Sequence, residues 1–78
     1  MSRNQTPATR SEMRFRIRAA AAAERLDEWL DTQPGITDEI RAAAHRRMRA
    51  AAANDVKAGK WNRALSAGKA LARRAPRP

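Results

Sequence analysis

The apolar content of this chain rests heavily on alanine, which occurs in runs at Ala19 to Ala23, Ala42 to Ala44 and Ala50 to Ala53. Alanine is the best helix former but buries little area, so the sequence favours helices while offering a thin core to hold them together. With 78 residues there is room for one small domain at most. A lone monomer with such a core is marginal, which leads us to expect a homodimer or folding on a partner.

Charge points to the class of partner. The formal net charge is +9 and the isoelectric point about 11.8, a balance suited to polyanions, because each cation that neutralises a phosphate releases condensed counterions. The charge is also segregated along the chain. Residues 1–18 set Arg3, Arg10, Arg14, Arg16 and Arg18 against Glu12 alone. Residues 19–40 set Arg25 against Glu24, Asp27, Glu28, Asp31, Asp38 and Glu39, and residues 41–78 are again strongly basic. Nucleic acid is the first expectation for a partner, and an anionic membrane surface the second.

With no cysteine and one histidine, disulfides, thiolate metal sites and histidine clusters within one chain are excluded, and no cofactor or metal is expected. No apolar run approaches the roughly 20 residues that span a bilayer, and Met1 to Arg10 lacks the apolar core of a signal peptide. The expectation is a soluble cytoplasmic protein without a membrane partner.

Residues 1–11, with Pro7 and no apolar period, read as a flexible basic arm. Residues 12–18 (EMRFRIR) alternate, with Met13, Phe15 and Ile17 on one side and Arg14, Arg16 and Arg18 on the other. That is the period of a strand with one apolar and one cationic face. A helical pattern competes with it. Thr9 and Glu12 fit a capping box, and Phe15, Ala19, Ala22, Leu26 and Leu30 share a helical stripe that would run unbroken from about Arg10 to Asp31. Local pattern leaves both open.

From Ala19 onward the helix is firm, and Gln33-Pro34-Gly35 stops it. Thr37 is placed to cap a second helix, with Asp38 and Glu39 in its positive first turn and Ile40, Ala43, Ala44, Met48 and Ala51 as its apolar stripe. Asn54-Asp55 and Gly59 interrupt it. A third helical piece follows, with Trp61, Ala64, Leu65, Gly68, Leu71 and Ala72 as its stripe, until Pro76 and Pro78 end it.

The order of short strand, helix, Gly-containing turn and helix resembles the ribbon-helix-helix family of DNA-binding proteins, of the Arc and MetJ type. The resemblance covers about residues 12–53 and rests on MRFRIR (13–18), AERLDEWL (23–30) and GITDEIRAA (35–43). It implies a mainly α fold in which one short N-terminal strand and two core helices form a dimer, with residues 54–78 as a C-terminal helical extension. The strand would pair with its twin in the second subunit, burying Met13, Phe15 and Ile17. Arg14, Arg16 and Arg18 would then enter the major groove, where arginine pairs with guanine. Thr37 and the amides after it would hold a phosphate, and Arg41 and Arg47 would add backbone contacts. The alternative fold is an all-α helical hairpin or three-helix bundle.

For the extension, HRRMRAAAANDVKAGKW (45–61) is similar to the CcdA-type antitoxins, in which an Arg-rich second helix precedes a Trp-containing tail that folds on a toxin. That similarity implies Trp61, Leu65 and Leu71 as partner anchors, although this tail is basic where such tails are commonly acidic. They fit equally well as residues packed back on the domain. His45 among arginines, the carboxylates Asp27, Glu28 and Asp31, and the scattered glycines form no catalytic constellation, and no enzyme is expected. The resulting expectation is a sequence-specific DNA-binding repressor, autoregulating its own operon as the antitoxin of a type II toxin–antitoxin module. The alternatives are a small helical phage or plasmid protein that inhibits a host protein, and a non-specific nucleic-acid binder.

Overall fold

The computed structural model describes residues 10–54 and 61–77, which form three helices: α1 (Arg10–Asp31), α2 (Asp38–Asn54) and α3 (Trp61–Arg74). A short turn reverses the chain between α1 and α2. The Phe15 and Trp61 rings meet at one end of the bundle, and Arg77 reaches Pro34 at the other, so α3 runs alongside α1 and antiparallel to α2. None of the helices is long and apolar enough to cross a membrane, among the described residues.

The strand expected over residues 12–18 is not what forms. Those residues are the first turns of α1, and no strand occurs among the described residues. The described residues are compatible with the all-α alternative. The cause is cooperativity: with the alanine-rich segment already helical, each upstream residue needs only to propagate the helix, and propagation gains one hydrogen bond per residue fixed. A strand would need a partner edge, and the described residues offer none. The change redistributes the apolar side chains. Phe15 stays on the core side and meets Trp61 with ring centroids 5.2 Å apart, whereas Met13 and Ile17 turn outward and remain 53% and 67% exposed. Thr9, the expected cap, and residues 1–9 of the expected basic arm lie outside the described residues, as do residues 55–60 with Asp55 and Gly59.

The core is built from Ala22, Leu26 and Leu30 of α1, Ile40, Ala44, Met48 and Ala52 of α2, and Ala64 and Ala72 of α3. Leu26, Leu30 and Met48 are its largest fully buried side chains. Small residues close the remaining space by letting backbones approach. At Gly68, buried in α3, an added Cβ would lie 2.9 Å from the Ala44 carbonyl oxygen, 3.2 Å from Leu26 Cδ2 and 3.3 Å from Met48 Cβ. Glycine is therefore what allows α3 to lie against α2.

The α1–α2 turn has identifiable parts. The Thr32 and Gln33 amides donate to the Trp29 and Leu30 carbonyls, tightening the last turn of α1. Gly35 then takes φ of +74°, a conformation that L-residues with a Cβ rarely adopt. Thr37 caps α2 as the sequence suggests, its Oγ1 accepting from the Ile40 amide at 3.1 Å. The Arg77 guanidinium donates to the Pro34 carbonyl at 3.0 Å and to the Ala72 carbonyl at 2.6 Å, so one side chain joins this turn to the end of α3.

Candidate nucleic-acid interface

Adopting helix instead of strand splits the three arginines expected to act together. In a strand Arg14, Arg16 and Arg18 share a face. At 3.6 residues per turn, Arg14 and Arg18 stay together while Arg16 points away from them by about 160–200°. Arg25, seven residues beyond Arg18, rejoins the Arg14 and Arg18 side.

That side of α1 borders α3, and the two helices enclose an open groove of about 560 Å³ lined by Arg18, Ala21, Ala22, Arg25, Trp61, Asn62, Arg63 and Leu65. Alanines make its floor shallow. Trp61 and Leu65 give it an apolar wall, and three guanidinium groups stand around it with no carboxylate among the described residues of the lining. Further along the same α1–α3 junction, Lys69 Nζ and Arg73 Cζ sit 5.5 Å and 5.2 Å from the centre of the Trp29 ring. Cations over an indole face gain about 0.5–1 kcal/mol at exposed sites. Trp29 thereby holds two further positive charges at the edge of this face, while the rest of its ring packs, partly buried, on the core.

Asp27, Asp31 and Asp38 lie on the α1–α2 side. Arg41, expected to contact a phosphate, is held instead by two carboxylates, its Nη1 donating to Asp27 Oδ1 and its Nη2 to Asp31 Oδ1, both at 2.7 Å. His45 Nε2 lies 2.7 Å from the same Asp27 oxygen. It is a partly buried partner of Asp27. Hydrogen bonding from His45 and then Arg41 holds the Asp27 carboxyl below its ordinary pKa of 3.8 against the opposing effect of burial. Hydrogen bonds to Asp31 and then Asp27 raise the pKa of Arg41 above its ordinary value. A second open groove, of about 500 Å³, lies here and mixes signs: Asp27 and Asp38 alternate with Arg41, Arg46 and Arg49.

The residues singled out from sequence therefore do not converge on one site. Arg14 and Arg18 stay together on α1. Thr37 is at the far end of the bundle with its hydroxyl oxygen engaged as a cap. Arg47 is exposed on α2. Trp61, Leu65 and Leu71 are partly buried against the core, so these proposed anchors already have partners within the chain. Sequence reasoning missed Arg25, Arg63, Lys69 and Arg73. The helical spacing of Arg14, Arg18 and Arg25 was the available signal for the first, but the α3 contributions depend on how two helices pack. Among the described residues no group of histidine, aspartate and glutamate is arranged to hold a metal ion.

No protein-family model matches this chain, and neither does any curated protein or solved structure.

Proposed function

We propose that the protein binds nucleic acid through its phosphate backbone, using the groove between α1 and α3. The observation that carries this reading is the convergence of Arg18, Arg25 and Arg63 around Trp61 in a groove with no carboxylate among the described residues, while Asp27 and Asp31 are occupied elsewhere by Arg41. Guanidinium groups suit phosphate because they are always charged and donate in a fork. The half-exposed Trp61 ring adds a surface on which a base can stack. The reaction class is binding, without catalysis.

Sequence-specific repression, with or without the antitoxin role, is the finer form of the same proposal. With residues 13–18 helical, base readout would come from a helix face and not from a ribbon. A salt series of fluorescence anisotropy on a labelled duplex tests the groove. Each phosphate contact contributes about 0.9 to the slope of log affinity against log salt on duplex DNA. The triple variant Arg18→Ala/Arg25→Ala/Arg63→Ala should lower that slope by about 2–3. Arg46→Ala/Arg49→Ala, on the mixed-sign groove, should leave it nearly unchanged. Equal losses from both variants would mean diffuse attraction with no groove. Competition between the upstream region of its own gene and unrelated DNA then separates specific repression from general affinity.

A further inference from the structure

The outer face of α1 is apolar at its N-terminal half and acidic beyond it, and among the described residues nothing covers it. Met13 and Ile17 are 53% and 67% exposed, and Ala20, Ala21, Glu24 and Glu28 follow them on the same exposed side at helical spacing. This face adjoins the α1–α3 groove and shares Ala21 with its lining, to which α1 otherwise contributes Arg18, Ala22 and Arg25. Glu24 and Glu28 have no ion-pair partner within the chain among the described residues.

We infer that α1 pairs antiparallel with α1 of a second copy of this chain, forming a two-fold dimer through Met13, Ile17, Ala21, Glu24 and Glu28. The argument is charge complementarity in a single register. Arg10 and Glu28, Arg14 and Glu24, and Ile17 and Ala21 are each symmetric about position 19. One antiparallel alignment, with its axis at the level of Ala19, therefore satisfies all three pairs at once and repeats each by symmetry. Ile17 seats on the small Ala21 of the other copy, and the exposed Arg10 and Arg14 lie beside its Glu28 and Glu24. A parallel pairing would instead set arginine on arginine and glutamate on glutamate. An antiparallel two-fold contact is also self-complementary and closes, as a stable homodimer requires. Repulsion between two chains of net charge +9 is screened beyond about 8 Å at physiological salt, so the close pairs decide. The dimer would be helical at the segment where the sequence suggested a shared ribbon.

Sedimentation equilibrium on the full chain across the micromolar range tests this. We expect a dimer, converted to monomer by Ile17→Glu. Because Ile17 is largely exposed, the variant should keep its helical circular dichroism. A second arm does not depend on that residue. Glu24→Arg/Glu28→Arg and Arg10→Glu/Arg14→Glu should each be monomeric alone and form a heterodimer when mixed. A wild-type chain that stays monomeric throughout overturns the inference. So does an unweakened dimer in Ile17→Glu, or a charge-swapped mixture that fails to associate.

Discussion

Replacing Gly68 by alanine sets two known effects against each other, and their sizes decide the sign. In a helix interior, alanine is favoured over glycine by about 1 kcal/mol, so on an exposed face Gly→Ala would stabilise the protein. At Gly68 the new Cβ falls 2.9 Å from the Ala44 carbonyl oxygen, whereas comfortable carbon contacts begin near 3.5 Å. The obstructing atom belongs to the backbone of α2 and cannot rotate aside, and Leu26 and Met48 close the other directions at 3.2 and 3.3 Å. Relief requires α3 to move off α2, loosening the buried contacts of both helices. Forcing an extra carbon into a filled core costs about 1–3 kcal/mol, and a clash with rigid backbone falls in the upper part of that range, about 2–3 kcal/mol. After subtracting the propensity gain we expect a net loss of about 1–2 kcal/mol, which in a domain of this size lowers Tm by about 5–15 °C. The assay is thermal and urea unfolding followed by circular dichroism at fixed protein concentration, since self-association would shift Tm. Ser66→Ala, on the exposed side of the same helix, is the control and should gain a few tenths of a kcal/mol. Gly68→Ala as stable as wild type, or more so, would refute the close approach of α3 to α2.

Other perturbations probe the turn and the ion cluster. Gly35→Ala places a Cβ at φ of +74° and should cost about 1–2 kcal/mol in urea unfolding, with Gly35→Asn recovering part of it. Thr37→Ala removes the oxygen that accepts from the Ile40 amide and should cost about 1 kcal/mol, restored by Thr37→Ser or Thr37→Asp. The folded Asp27 carboxyl titrates below its ordinary value of 3.8, chiefly through His45 and Arg41. Its contribution is therefore complete above about pH 5 and is lost as pH falls through the folded value. In Asp27→Asn the wild-type loss of stability on acidification should be shallower, with a lower plateau at neutral pH. Identical pH profiles would show that the Asp27 cluster adds nothing to the fold.

Much of the fold was written in local pattern. Alanine runs and apolar spacing marked all three helices, Gln33-Pro34-Gly35 marked the turn, and Thr37 marked the start of α2, because capping and positive φ depend on a few adjacent atoms. The site was much less legible. A cationic groove made from α1 and α3 joins Arg18 and Arg25 to Arg63 across a long sequence separation, and no periodicity within one helix encodes that meeting.

The division is clearest at residues 12–18. The sequence by itself determined that these residues carry alternating apolar and arginine side chains, a pattern compatible with both a ribbon and a helix. It also determined the charge, the helix-rich composition and the poverty of the core. Only the tertiary structure decided which period prevails. Phe15 finds Trp61 of α3 when it is helical, and the helix already nucleated in the alanine run extends through it. That single choice sends Arg16 away from Arg14 and Arg18, exposes Met13 and Ile17, and brings Arg18 into line with Arg25 at the groove. The physical reason is that side-chain direction follows backbone period, and period is settled by the contacts that a whole folded chain can supply.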